Sequence, residues 1–249
     1  MTLRKRLALL VIPLLLATTA ACGEDDSESS SGAESQGACD YGTEGAGEAA
    51  RDVDPPPGDP VTEEAVRATI ATDRGDIGVS LDGDKTPCSV NSFLSLAEQD
   101  YFDDSSCHRL VTQGIFVLQC GDPSGTGNAG PGYTVPDELP SPDPRLTGCQ
   151  DQGGANVCTY PAGTIAMAKG GDPSTGLPLP DSAGSQFFLV YQDTLLPEGY
   201  QVIGRMTAAG LKVVREVAAK GAEAPDETGN TAPKLPTTIT DVKVPDLSQ

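Results

Sequence analysis

Arg109 and Gln119 are polar residues in two largely apolar segments, which makes them the first candidates for acting on a ligand. Residues 107–111 and 115–122 are rich in β-branched and aromatic side chains, and a glycine lies in the turn between them, so a hairpin is predicted. An unpaired buried guanidinium is costly, so Arg109 needs a polar partner or a wet cleft. The alternative is an arginine at a strand edge whose head group lies in water, where charged groups usually are.

His108 is the only histidine of the chain, and this narrows the chemistry. A two-histidine metal site is impossible, and no metal or cofactor is predicted. A hydrolase would need His108 as its base. Cys107 precedes it, but neighbouring strand residues point to opposite faces, so the two cannot form a nucleophile–base pair. A hydrolase is therefore disfavoured.

The composition is acidic and rich in turn-forming residues. The net charge of -20 would repel nucleic acid, so no nucleic-acid partner is predicted. The chain has 29 Gly, 21 Pro and no Trp, which favours a β-rich fold with an aliphatic core.

The apolar pattern predicts the elements that must position these residues. A helix is expected from Thr86, as N-cap, to about Gln99, with Pro87 in its first turn, and a second helix at 211–220. Residues 140–160 are expected to form an inserted loop. The predicted strands are 68–72, 77–81, 107–111, 115–122, 164–168, 186–191, 201–206 and 239–244.

Four motifs occur in a characteristic order. They are His108-Arg109, then Phe116-Val117-Leu118-Gln119-Cys120-Gly121-Asp122, then residues 163–168 (Gly-Thr-Ile-Ala-Met-Ala), then residues 184–188 (Gly-Ser-Gln-Phe-Phe). In this order and spacing, over residues 68–244, the chain resembles the cyclophilin family of peptidyl-prolyl cis-trans isomerases. The resemblance implies a mainly β fold, a closed antiparallel eight-stranded barrel capped by two α-helices.

The resemblance also implies a site. Arg109 matches the catalytic arginine, with Gln119 and Phe116 beside it. The positions implied for substrate binding are Val117, Ala168, Lys169, Gln186, Phe188, Leu195, Leu196 and Tyr200. Four of these depart from the family's usual residue: Val117 replaces a methionine, Lys169 stands where asparagine is common, Leu195 replaces a tryptophan, and Tyr200 replaces a histidine.

The implied activity is rotation about X-Pro bonds, which needs no nucleophile, cofactor or metal. It needs an apolar slot for the ring and donors, here Arg109, that stabilise the twisted amide. The alternative, motivated by the changed groove rim, is a non-catalytic proline-peptide-binding module or chaperone. Predicted partners are proline-containing peptides and unfolded exported proteins, and the protein is expected to be a monomer.

The amino-terminal region has the pattern of an export signal. Residues 4–6 are basic, residues 7–16 are apolar but too short to span a bilayer, and small residues precede Cys22. We predict a lipoprotein signal at 1–22, with Cys22 carrying the lipid, an extracytoplasmic location and a membrane contact through the lipid alone. The alternative is an ordinary signal cleaved near Ala21. Residues 23–65 are predicted to be a disordered acidic and proline-rich linker, and 66–249 the folded domain.

Six further cysteines in an exported chain favour disulfides. Cys107 and Cys120 lie on the two arms of the predicted hairpin, and Cys149 and Cys158 could close the inserted loop. This leaves Cys39 with Cys88, which would attach the linker to the first helix. Fifteen pairings are possible for six cysteines, and some thiols could stay free.

Overall fold

The structure is a computed structural model that describes residues 39–62, 64–138, 140, 143–227 and 229–246. The predicted signal sequence and Cys22 lie outside these residues. In the described part of the chain, no helix has the length and apolar character needed to cross a membrane. The elements are β1 Ala65–Thr72, β2 Ile77–Asp82, α1 Pro87–Glu98, β3 Ser105–Ser106, β4 Arg109–Val111, β5 Val117–Cys120, β6 Thr147–Asp151, β7 Asn156–Tyr160, β8 Thr164–Met167, β9 Phe187–Val190, β10 Thr194–Pro197, β11 Val202–Met206, α2 Ala208–Ala218 and β12 Thr238–Lys243.

The main sheet has nine strands in the order β3-β12-β1-β2-β11-β8-β9-β5-β4. Every neighbouring pair is antiparallel. The fold is therefore mainly β with two helices, as expected. The predicted closed eight-stranded barrel is wrong, because the sheet is a curled half-barrel of nine strands whose ladder ends at β3 and β4.

The sheet curls because its two edges are consecutive in the chain. Only Cys107 and His108 separate β3 from β4, so their near ends lie within about 11 Å of each other. The two edge strands do not pair with each other. Backbone oxygens of residues that precede β12 instead accept hydrogen bonds from this part of the chain. The amide of Cys107 donates to the oxygen of Thr237 at 2.9 Å, and that of Leu110 donates to the oxygen of Thr231 at 2.7 Å.

The two helices lie close to their predicted positions, but the first helix is not capped by the residue predicted for it. Thr86 makes no capping bond with its side chain. The carboxylate of Glu138 instead accepts from the first-turn amides of Cys88 at 2.8 Å and Ser89 at 2.9 Å, where free amides favour an anion. The α2 helix begins earlier than predicted, and Thr207 caps it by accepting from the amide of Gly210 at 3.1 Å.

The predicted inserted loop contains β6 and β7, which join β10 in a second, smaller sheet in the order β10-β7-β6. The Cys149–Cys158 disulfide joins β6 to β7. The smaller sheet and the main sheet share a second apolar cluster. Part of this cluster lines the cavity of the candidate functional site. Its buried members are Val117, Leu146, Cys158, Tyr160, Ala166, Phe188, Val190, Leu196 and Val202.

Residues 39–62, here called the N-terminal strap, lie against the domain, although the linker prediction covered them. Cys39 is bonded to Cys88 of α1. The guanidinium of Arg51 donates to the backbone oxygens of Asp100, Tyr101 and Asp103 at 2.9, 3.0 and 2.6 Å. The strap is thus held by polar contacts, by one cross-link and by packing of Tyr41, Ala50 and Val53 against the core.

The third disulfide, Cys107–Cys120, joins the arms of the β4–β5 hairpin. The structure therefore contains the three pairs that the sequence favoured. Gly121 follows at once, with a φ of 91°. A side chain there would overlap the backbone oxygen of Ser185 and lie 3.0 Å from the Cα of Gln186. Only glycine lets β5 approach the start of β9 this closely.

Replacing Gly121 with alanine should destabilise the protein more than the same change at Gly114 of this hairpin. Both have positive φ, 91° and 77°, but no atom lies within 4 Å of a Cβ built at Gly114. The left-handed strain of about 1–2 kcal/mol is common to both variants. The contact with residues 185–186 should add about 1–3 kcal/mol in Gly121→Ala. Urea unfolding of the oxidised variants measures the difference, and equal losses would contradict the contact argument.

Candidate functional site

The site begins with a row of side chains across three strands. Arg109 of β4 pairs with Gln119 of β5, and Gln119 pairs on its other side with Phe188 of β9. Residues opposite each other in neighbouring strands share one face of the sheet. The row therefore places a cation, an amide and an aromatic ring side by side.

Hydrogen bonds extend this row to the loop that follows β5. The guanidinium of Arg109 donates from Nη1 to Oε1 of Gln119 at 3.1 Å. Gln119 donates from Nε2 to Oε1 of Gln186 at 2.8 Å, and Gln186 donates to the backbone oxygens of Gly127 and Ala129, both at 3.0 Å. The partner that orients Arg109 is a neutral amide, so it does not compensate the positive charge of the guanidinium.

A cavity of about 240 Å³ lies over the row. Val117, Phe188 and Leu196 form an apolar wall, and the ring of Tyr200 packs edge-on against Phe188 with centroids 5.4 Å apart. Arg109 and Gln119 add polar groups to the same cavity. The arrangement suits an apolar ring whose attached polar group faces the guanidinium. The lining residues are Arg109, Ile115, Val117, Gln119, Gly127, Ala168, Lys169, Phe188, Leu196, Tyr200 and Asn230.

Lys169 is a second cation at this cavity, and its charge is compensated. Its ammonium donates to both carboxylate oxygens of Asp137 at 2.7 Å and to the oxygen of Gly199 at 3.2 Å. Its side chain is only 1% exposed. Lys169 therefore contributes shape to the cavity, and Arg109 contributes charge.

The structure brings together most of the residues that the resemblance implied. Arg109, Gln119, Val117, Ala168, Lys169, Phe188, Leu196 and Tyr200 line the cavity. Gln186 reaches it through Gln119 and lines a neighbouring cavity.

Phe116 and Leu195 lie elsewhere. The ring of Phe116 packs against Tyr191 at 6.0 Å, and Leu195 is 54% exposed. Alternation along a strand explains both positions, because the neighbours Val117 and Leu196 point into the cavity.

Three lining residues were not predicted as site residues: Ile115, Gly127 and Asn230. Alternation from Gln119 and Val117 would have selected Ile115 instead of Phe116. Asn230 lies more than 100 residues beyond the hairpin in a polar segment, and no local pattern marks it.

His108 lies outside the cavity lining and is 5% exposed. Burial, reinforced by the charge of Arg109 and opposed by Asp122, lowers the pKa of His108 below its ordinary value of 6.5. The side chain is therefore neutral near pH 7. The only histidine of the chain is thus a buried neighbour of the site.

The loop after β5 is organised by Asp122, which is fully buried. Its carboxylate accepts from the amides of Ser124 at 2.8 Å, Gly127 at 2.7 Å and Ala129 at 3.3 Å. Burial acts to raise the pKa of Asp122, but these hydrogen bonds outweigh it and hold the pKa below 3.8. The ionised carboxylate therefore shapes the loop that contacts Gln186.

Residues 67–244 match the family model described as cyclophilin type peptidyl-prolyl cis-trans isomerase/CLD. The chain therefore belongs to this family.

Curated relatives agree with the family assignment. The chain is 40% identical over 189 residues to a probable peptidyl-prolyl cis-trans isomerase B of Mycobacterium tuberculosis (strain ATCC 25618 / H37Rv), covering 74% of this chain and 56% of the relative. The Mycobacterium leprae protein of the same name is 40% identical over 201 residues, covering 76% and 62%. The chain thus spans less than two thirds of the length of these relatives.

Solved structures support the fold. A cyclophilin type peptidyl-prolyl cis-trans isomerase of Cryptosporidium parvum superposes with a TM-score of 0.54 at 21% identity, covering 73% of this chain and 98% of the other. The same protein, crystallised in the presence of the dipeptide Ala-Pro, superposes with a TM-score of 0.53.

Replacing Asp122 with asparagine should destabilise the loop at neutral pH by about 1–3 kcal/mol, the range for hydrogen bonds to a charged group. Because the folded-state pKa of Asp122 is depressed, its contribution is present above the unfolded-state value of 3.8 and is lost as the pH falls through the folded value. Wild type and Asp122→Asn should therefore keep their difference in stability down to pH 3.8 and converge only as the pH falls further, through the folded-state pKa.

Asp172→Asn is the matched control, because Asp172 accepts from Ser174 in the same way but is solvated. Urea unfolding at pH 7 and at lower pH measures both variants. An equal effect of the two substitutions would contradict the role assigned to Asp122.

Proposed function

We propose that this protein is a peptidyl-prolyl cis-trans isomerase that accelerates rotation about X-Pro bonds in exported proteins. Arg109 stabilises the twisted amide without forming a covalent bond. The observation that carries the proposal is the position of Arg109, which donates to Gln119 and lines the same cavity as the apolar side chains of Val117, Phe188 and Leu196.

The reaction sets simple requirements. Rotation about an amide crosses a barrier of about 18–20 kcal/mol because conjugation is lost at the twisted geometry. The proline nitrogen becomes more basic there and can accept a hydrogen bond. A donor placed beside that nitrogen stabilises the twisted state more than either planar state, and this difference accelerates rotation.

The cavity fits these requirements residue by residue. Val117, Phe188 and Leu196 would hold the proline ring by apolar contact. Arg109 would direct an N–H group at the twisted amide, because its guanidinium presents several donors in a fixed planar arrangement. Gln119 would keep the guanidinium oriented, or turn an amide group to the substrate carbonyl.

The relatives support the same activity. Those in the two mycobacteria carry the name peptidyl-prolyl cis-trans isomerase, and the Cryptosporidium protein was crystallised in the presence of Ala-Pro. A proline-containing peptide is therefore the ligand class that we propose for this chain.

The three disulfides support a location outside the cytoplasm, because such bonds persist in oxidising compartments. Together with the sequence pattern of residues 1–22, they support the proposal of a lipoprotein anchored at Cys22 that acts on exported proteins. Metabolic labelling with a radioactive fatty acid, in wild type and in Cys22→Ala, tests the anchor. Equal labelling of the two would contradict it.

Replacing Arg109 should remove most of the activity. We expect Arg109→Ala to lower kcat/KM for a short X-Pro peptide by ten-fold or more, equivalent to about 1.4 kcal/mol of transition-state stabilisation. Arg109→Lys should recover part of this loss at most, because one ammonium cannot bond Gln119 and the amide with the same geometry. The control is Arg205→Ala on β11, an exposed strand arginine away from the cavity.

The assay is isomerisation of the peptide by the oxidised protein, with binding of the same peptide measured separately. Binding without acceleration by wild type would reject the enzyme and support a proline-peptide-binding module. Acceleration that survives in Arg109→Ala would keep the enzyme and reject Arg109 as its catalytic residue.

A further inference from the structure

A second cavity of about 300 Å³ adjoins the one that contains Arg109. The two share four lining residues: Gln119, Gly127, Ala168 and Lys169. The two cavities therefore form one continuous groove. A peptide with its proline beside Arg109 would reach the second cavity with residues that flank the X-Pro pair.

One wall of the second cavity comes from the N-terminal strap. Gly45, Ala46 and Gly47 line it together with Lys169 and Gln186. These strap residues precede residues 67–244, which match the family model. The wall is therefore an addition of this chain to the matched domain.

The strap wall is fixed in place at several points. The amide of Ala50 donates to the oxygen of Gly130 at 2.8 Å, and the amide of Gly130 donates to Glu48 at 3.1 Å. The amide of Thr134 donates to the oxygen of Gly42 at 2.7 Å. With the Cys39–Cys88 disulfide, these bonds hold both ends of the lining segment. A wall that is ordered beforehand costs a ligand little ordering entropy.

The chemistry of this cavity indicates what it would hold. Main chain forms much of its surface, since six of its lining residues are glycines. An extended peptide segment could bond such a surface, while the cation of Lys169 is already compensated by Asp137. Residues 39–62 contain six acidic residues and one basic residue, so the field around the strap disfavours an acidic segment.

We infer that the N-terminal strap is part of the substrate-binding surface, where Gly45, Ala46 and Gly47 contact peptide residues that flank the X-Pro pair and select against acidic ones. This inference rests on the proposed isomerase function and extends it to the choice of substrate. It makes the strap a specificity element.

The test compares two alanines of the strap. Ala46 lines the second cavity, and Ala49 does not. Ala46→Trp should fill the cavity, and Ala49→Trp adds the same bulk outside it. Ala46→Leu is a milder second variant in case tryptophan disturbs folding. Urea unfolding establishes that the variants retain the stability of wild type.

The substrates are a capped Ala-Pro dipeptide, which reaches only the Arg109 cavity, and longer peptides extended on one side at a time with lysine or with glutamate. We expect wild type to prefer a longer peptide over the dipeptide, and lysine over glutamate. Ala46→Trp should lower kcat/KM for the preferred longer peptide by five-fold or more and leave the dipeptide unchanged. Ala49→Trp should change neither.

The outcomes separate this inference from the proposed function. Normal turnover of both substrate lengths by Ala46→Trp would overturn the strap inference and leave the isomerase intact. An equal loss on both lengths would also overturn it, because the change would then act through the Arg109 cavity. If wild type turns over no peptide, the isomerase proposal fails. Calorimetric binding of the same peptides then decides the strap inference, which is rejected if Ala46→Trp binds them as wild type does.

Discussion

The register of β5 against its two neighbours is the constraint on which the site depends. It sets Arg109 opposite Gln119 and Gln119 opposite Phe188, so that cation, amide and ring share one face. Because strand side chains alternate, a slip of one residue would turn the whole row away from the cavity. Two features beyond Gln119 hold the register: the Cys107–Cys120 cross-link and the close approach of Gly121 to the start of β9. The same hairpin therefore contains Arg109 and Gln119 and also the contacts that fix their positions.

Polar contacts act together with apolar burial to position the parts of the groove outside the strands. Asp122 shapes the following loop with its buried carboxylate, Arg51 holds the strap to backbone oxygens, and Glu138 caps the first helix. Each is a charged side chain that bonds backbone groups left free by turns or helix ends. Such contacts are directional, so they define where a loop lies even when it has little apolar area to bury.

The hairpin and both helices follow from periodicity, and most of the cavity lining follows from the resemblance that the four motifs carry. Phe116, predicted for the site, does not line this cavity, whereas Ile115, which alternation from Gln119 would have chosen, does. Local sequence patterns could not predict whether the sheet closes. Closure depends on whether the distant residues Thr231 and Thr237 accept the hydrogen bonds of the amides near the sheet edges. The sequence also did not indicate that the strap packs against the domain. Its composition is that of a linker, and the partners of Arg51 are carbonyls that the sequence does not distinguish from any others.

In the proposed mechanism, the contrast between the two cations of the cavity would let charge serve catalysis in so acidic a protein. Lys169 is neutralised by Asp137, and Arg109 is oriented by a neutral amide. An uncompensated ammonium at Lys169 would attract substrate carbonyls in the planar and the twisted states alike, which strengthens binding without accelerating rotation. A carboxylate in place of Gln119 would orient Arg109 as well, but it would weaken the positive potential that the twisted amide experiences. In the proposed mechanism, this compensation of Lys169 would leave Arg109 as the cation of the cavity that acts on the twisted amide.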